Sequence, residues 1–248
     1  LNDVMERYDD DALVLSTMDY GEADRLVTLL TREHGKLTAF ASGARKSKRR
    51  FAGALEPFMR LRVHIVETRG STVRLDSTDI VAGYYAARED LSLIARALYA
   101  VELCRELTRD HEPQPELFFL LEAYLRRLDA KEAGPTSLLA FELSALAHAG
   151  LMPRFDACSL CGKEPGERPR FDQAHGGAVC EACSLRVREA VPIPVELLSG
   201  LRALQEGERT PLPADLRARA RSLLNIFIAH HLGRRLKSVD FMAQVGLD

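Results

Sequence analysis

Four of the five cysteines stand as two Cys-x-x-Cys pairs, Cys158 with Cys161 and Cys180 with Cys183, with eighteen residues between the pairs. Each such turn lets two sulfurs reach one ion at about 2.3 Å, and two turns complete a tetrahedron, the spacing of a four-thiolate zinc site. Gly162 follows the first pair, where a tight knuckle is helped by a residue without a Cβ. Four thiolates saturate the metal and leave no open position for water. One Zn2+ held by Cys158, Cys161, Cys180 and Cys183 is therefore expected to be structural rather than catalytic. An iron–sulfur cluster takes the same four thiolates and stays open beside zinc. Two disulfides are disfavoured in a cytoplasmic setting, and a thioredoxin-like pair would need a βαβ context that residues 154–189 lack. His175, between the pairs, reads as a surface histidine, and Cys104 as a buried apolar residue in a helical pattern.

The second chemical feature is charge. Gly43-Ala-Arg45-Lys46-Ser-Lys48-Arg49-Arg50-Phe51 places five positive side chains in six consecutive positions. Further on, Arg60, Arg62 and His64 alternate with Leu61, Val63 and Ile65, so a period of two puts three basic or polar groups on one strand face. The net charge of −2 at first argues against a polyanionic partner, but it hides an asymmetry. Residues 1–24 sum to −7, residues 25–74 to +9 and residues 75–150 to −6. Binding is decided by the field within roughly 10 Å, so the local +9 outweighs the total. The expected surface is a cationic groove that contacts phosphates through Lys36, Arg45, Lys46, Lys48, Arg49, Arg50, Arg60 and Arg62. Aromatic platforms are few: Phe40, Phe51 and Phe58 are candidates, and the chain has no Trp. Such binding is weakly sequence-selective and falls steeply with salt.

Elements must hold these groups in place. Candidate strands run over 12–18, 25–31, 36–42, 58–66 and 72–82, broken by Tyr20-Gly21, His34-Gly35 and Arg69-Gly70, which suggests a small barrel or meander. After residue 85 the period becomes helical, with Leu91, Ile94, Leu98 and Val101, then Phe118, Leu121, Leu125 and Leu128. Further helices are expected over about 136–149, 195–205 and 215–231. The domains expected are a barrel at 1–82, a discontinuous helical domain at 83–153 and 190–248, and an inserted zinc module at 154–189. At 248 residues, 46% hydrophobic and 28% charged, the chain reads as globular, with no apolar run long enough for a membrane helix. Its acidic start is unlike a secretory signal, so a cytoplasmic location is expected.

The stretch Ala12-Leu-Val-Leu15, Asp19-Tyr-Gly-Glu22-Ala-Asp24-Arg-Leu-Val-Thr28-Leu-Leu-Thr31, His34-Gly35-Lys36, Gly43-Ala-Arg45-Lys46-Ser47-Lys48 and Leu55-Glu-Pro57-Phe58 resembles the amino-terminal domain of the RecO recombination and repair proteins. The cysteine tetrad and Leu236-Lys237-Ser238 extend the resemblance over essentially the whole chain. It implies an α+β multidomain architecture, an N-terminal OB-fold β-barrel followed by an all-α domain with an inserted four-cysteine zinc module. It also implies a recombination mediator of the RecF pathway at the nucleoid. Such a protein binds single- and double-stranded DNA, anneals complementary strands, associates with RecR, and helps RecA replace single-strand-binding protein at gaps.

A second cationic cluster, Arg217, Arg219, Arg221, Arg234, Arg235 and Lys237, lies in a stretch without acidic residues. The resemblance implies docking of the acidic carboxy-terminal tail of single-strand-binding protein on the helical domain, and Arg217, Arg221, Arg234 and Arg235 are the candidates for it. No His-Glu-x-x-His helix, no Gly-rich loop ending Gly-Lys-Ser/Thr and no deaminase-type signature accompanies the cysteines, so no catalytic residue is expected. The competing readings are a zinc-containing scaffold for acidic proteins and a zinc-dependent nucleic-acid-processing enzyme.

Overall fold

A computed structural model describes residues 6–47, 49–51, 53–67, 73–208 and 210–247. Five strands, β1 (Glu6–Tyr20), β2 (Asp24–Thr31), β3 (Gly35–Ala41), β4 (Arg60–Glu67) and β5 (Val73–Ala82), close into a barrel of order β1-β2-β3-β5-β4. All ladders are antiparallel except the closing one, where β3 meets β5 in parallel at Phe40 and Arg74. This is the OB-like barrel expected. Alternation builds its core: Leu37, Ala39 and Ala41 of β3, and Leu61, Val63 and Ile65 of β4, all point inward.

β1 begins six residues before the expected Ala12. Its first half pairs with β4, Asp11 opposite Arg62 and Asp9 opposite His64, and its second half with β2. A bulge between Val14 and Ser16 separates the two halves and turns the strand. The acidic run before the expected start is thus strand, with Asp9 and Asp11 set against a basic partner strand. Asp10 is the exception: it is buried, accepting from the Glu33 amide at 3.1 Å and facing His34 Nδ1 at 2.8 Å. At the β2–β3 turn Gly35 has φ +74°, and a Cβ there would collide with the Glu112 carbonyl, so the position requires glycine.

The chain divides into two compact units, residues 1–132 and 133–248. Helices α1 (Leu91–Leu107) and α2 (Pro115–Asp129), grouped by sequence with the later helices, fall in the unit that contains the barrel. Asp90 caps α1 by accepting from the Ser92 and Leu93 amides. Cys104 of α1 is fully buried, and burial pushes its thiol well up, as suits a core residue.

The second unit is helical: α3 (Pro135–His148), then β6 (Arg170–Asp172), β7 (Gly177–Val179), the single turn α4 (Glu181–Ser184) and β8 (Val191–Pro192), followed by α5 (Val195–Gln205), α6 (Ala214–Leu232) and α7 (Lys237–Gln244). α6 stops at Gly233, whose φ of 68° is the left-handed cap that glycine supplies. Phe155 and Phe171, from the cysteine-bearing segment, are buried and stack toward Phe227 of α6, with centroids 5.9 and 5.8 Å apart along the row. Among the described residues no helix is long and apolar enough to cross a membrane.

Candidate nucleic-acid interface and metal centre

The four paired cysteines converge. The sulfurs of Cys158, Cys161, Cys180 and Cys183 all lie within 4.8 Å of one another, and Cys161 and Cys180 are 3.8 Å apart. A tetrahedron with metal–sulfur bonds of about 2.3 Å has edges of about 3.8 Å, so the cage fits one tetrahedral ion. Two knuckles hold it. The Cys158 amide donates to the Lys163 carbonyl, Gly162 at φ +72° donates back to the Cys158 carbonyl, and the Ser184 amide donates to the Cys180 carbonyl. Burial alone would push the Cys158 thiol up, but amides of Cys180, Cys161 and Leu160 directed at its sulfur bring it down to about 6. Cys183, hydrogen-bonded to the Cys180 and Cys161 sulfurs, is pushed up to about 12. Four thiols crowded this closely cannot all ionise without a cation. His175 faces Asp172 and stands outside the cage.

The basic run forms the β3–β4 connection of the barrel. Arg45, Lys46, Arg49 and Arg50 are exposed, and Lys48 lies outside the described residues. Lys46 and Arg49 make no ion pair among the described residues, whereas Arg45 approaches Asp19 at 3.7 Å. The same connection carries apolar anchors: Phe51, Ala54, Leu55 and Met59 enter the barrel core. Phe51 is 2% exposed and Phe58 lies buried beneath the Arg88 guanidinium, so neither is a stacking platform. Phe40 remains on the outer face, half-buried and edge-on to the exposed ring of Tyr20, which the sequence did not single out.

The strand cations are differently placed. Lys36 Nζ donates to the Arg105 and Thr108 carbonyls at 3.0 and 2.7 Å and pairs with Asp110 at 3.3 Å, so it caps the end of α1. Arg60 pairs with Glu122 of α2 at 3.0 Å and approaches Asp11 at 3.8 Å. Arg62 reaches Asp11 at 3.9 Å but is nearly half exposed. His64 sits between Asp79 and Asp9, whose hydrogen bonds raise its pKa. This face is an acid–base ladder, so the expected phosphate contacts Arg60 and Arg62 face carboxylates here, whereas the β3–β4 connection keeps Arg45, Lys46, Arg49 and Arg50 exposed. The alternation that put Arg60, Arg62 and His64 together was legible; the carboxylates facing them, Asp9 and Asp11 of β1, Asp79 of β5 and Glu122 of α2, were not.

Two further arginines join Arg50. Arg7 and Arg74 are exposed, and with Ser42, Arg50 and Asp76 they line a cavity of about 230 Å³. Arg50 is fixed there by donating to the Ser42 and Asp76 carbonyls. A period-two pattern, Val73-Arg74-Leu75, was the signal for Arg74; nothing local marked Arg7.

In the second unit, Arg221 is 7% exposed and its guanidinium binds Glu142 of α3, itself wholly buried, while Nη2 lies 3.6 Å from the Met242 sulfur of α7. It joins three helices and does not present its charge beside Arg217, as their four-residue spacing suggested. Arg217 donates to the Leu212 carbonyl at 2.7 Å, Arg235 pairs with Asp240 at 3.1 Å, and Arg234 is exposed.

Comparison with known proteins covers the whole chain. The family model described as Recombination protein O N terminal matches residues 5–84, and that described as Recombination protein O C terminal matches residues 88–240. A "DNA repair protein RecO" of Myxococcus xanthus is 90% identical over 244 residues, 98% of this chain and 100% of the relative. Proteins of the same name from Anaeromyxobacter dehalogenans (51% identical over 98% of both chains) and Geobacter sulfurreducens (41% over 95% of this chain and 97% of the relative) also match. An OB-like barrel, a following helical region with a four-cysteine cage, and relatives aligned end to end converge on one assignment: the chain belongs to the RecO family.

Proposed function

We propose that this chain is a non-enzymatic mediator of DNA repair. It binds single- and double-stranded DNA through the barrel, anneals complementary strands, and, with RecR, helps load RecA at gaps covered by single-strand-binding protein. One structural ion, Zn2+, is held by the four cysteines, and the protein works in the cytoplasm at the nucleoid. The observation that carries this reading is the exposed cluster Arg45, Lys46, Arg49 and Arg50 on an OB-like barrel, in a chain 90% identical to a DNA repair protein RecO. Annealing needs two polyanions to approach, and a dense cationic surface lowers their repulsion without fixing either in a sequence-specific site. The contacts are assigned to Arg45, Lys46, Lys48, Arg49 and Arg50, with Arg62 at the edge. Lys36 and Arg60, engaged within the molecule, serve as anchors.

Docking of an acidic partner tail on the second unit is assigned to Arg217, Arg234 and Arg235, without Arg221. The test of the main reading is fluorescence anisotropy with labelled strands over a salt series. Replacing Arg45, Lys46, Lys48 and Arg49 by Ala should cost at least tenfold in affinity and lower the log–log salt slope by roughly 3, four phosphate contacts at about 0.7 each. Nucleotide-free annealing should fall in parallel. An unchanged affinity and slope would sink the reading.

A further inference from the structure

The cavity between Arg7, Arg50 and Arg74 is chemically unlike the rest of the barrel surface. The cations elsewhere on the barrel strands, Arg25, Lys36, Arg60, Arg62 and His64, face carboxylates. Here three guanidinium groups share about 230 Å³ with one carboxylate, Asp76. Arg50 is held by backbone carbonyls, which orient its guanidinium without cancelling its charge. Arg7 and Arg74 make no ion pair among the described residues. One oriented guanidinium, Arg50, with two exposed ones beside it around a small cavity suits the oxygens of a phosphate, because each guanidinium can donate two hydrogen bonds.

What lies beside that cavity decides the ligand. Arg74 is the residue opposite Phe40 where β3 and β5 close the barrel. Val73 and Leu75 are buried on either side of Arg74, and Ala39 and Ala41 on either side of Phe40, so both Arg74 and Phe40 belong to the outer face. Phe40 in turn meets Tyr20, 55% exposed, edge-on with ring centroids 5.8 Å apart. Two solvent-reachable rings thus adjoin a cavity suited to phosphate. A duplex keeps its bases paired inside the helix; an unpaired strand can lay a base on a ring.

Resting on the DNA-binding reading above, we propose that this face is a single-strand subsite: Arg7, Arg50 and Arg74 grip one backbone phosphate, and Phe40 with Tyr20 stacks the adjoining base. The basic connection then serves both strand types, and the subsite distinguishes unpaired from paired DNA.

The chain has no Trp, so Phe40→Trp introduces a unique reporter at the ring itself. The full-length variant is titrated with a labelled oligo(dT) strand and with a duplex of equal length, reading tryptophan emission and anisotropy together. Emission should be quenched by the single strand and not by the duplex. Bound single strand without quenching, or equal quenching by both, overturns the stacking role. In parallel, Arg7→Gln with Arg74→Gln, both exposed positions, should weaken oligo(dT) binding about tenfold and flatten its salt slope by about 0.7, the share of one phosphate. The duplex should lose no more than about twofold, and an equal loss for both ligands overturns the subsite. A parent protein that bound neither ligand would overturn the DNA-binding reading itself, an outcome distinct from either of these.

Discussion

Two loop-rich segments of this chain hold themselves together by different means. The β3–β4 connection, with its run of arginines and lysines, is pinned from within: Phe51, Ala54, Leu55 and Met59 drop into a core that already contains Val27, Leu29, Leu37 and Leu61. The cysteine-bearing segment has half of such an anchor. Phe155 and Phe171 join the aromatic row to Phe227, but around the cage the buried cluster contains only Val179 and Ala190 besides Cys158 and Cys183. Apolar burial can fix a charged loop where a closed barrel offers a cavity to fill. Where no such cavity exists, four converging cysteines offer a metal ion the means to take over.

The largest effect that would test this contrast is removal of a sulfur. With the proposed zinc in the cage, Cys161→Ser, or a strong chelator, should release it and unfold the knuckles, since structural zinc contributes roughly 10–16 kcal/mol in small domains. Hydrogen exchange should then rise over residues 158–190, while the barrel strands and DNA affinity stay as in the parent. A barrel that loosened with the metal would break the contrast.

A smaller effect is expected in the other segment. Phe51→Ala should destabilise the first unit by about 3–5 kcal/mol in a denaturant titration. It should also weaken DNA binding in still-folded protein, because the arginines lose their tether. Retained affinity would show that the loop needs no anchor.

The smallest effect concerns His64. Its pKa is raised by hydrogen bonds to Asp79 and Asp9, so the protonated form favours the folded state. That contribution is fully present below the ordinary value of 6.5 and is lost as pH rises through the raised pKa. The melting temperature of His64→Gln should therefore fall below that of the parent at pH 6 and converge with it at alkaline pH. Curves that run parallel would remove His64 from the ladder's electrostatics.

Patterns that repeat along the chain were the legible ones. Alternation marked β2, β3 and β4, helical spacing marked α1, α2 and α6, and two Cys-x-x-Cys pairs marked the cage. What one strand owes to another was not legible. Asp9 and Asp11 lie outside the strand expected over 12–18, yet stand opposite His64 and Arg62, and Lys36, expected to contact phosphate, donates to the end of α1. Arg221, in a helix face rich in arginine, became a buried partner only because α3 supplied Glu142. Each of these residues took its role from a segment distant in sequence. α7, only 8 residues long, is too short to show a helical repeat and was legible only as a Leu236-Lys237-Ser238 resemblance.

β1 carries a consequence for how the protein is made. It leaves the ribosome before the other strands of the barrel, yet Glu6 finds its partner only at Glu67, and the barrel closes only when Arg74 reaches Phe40. Pairings across such separations are slow to form. Until β4 has emerged, the first half of β1 has no neighbour, and its carboxylates keep that waiting edge charged and soluble.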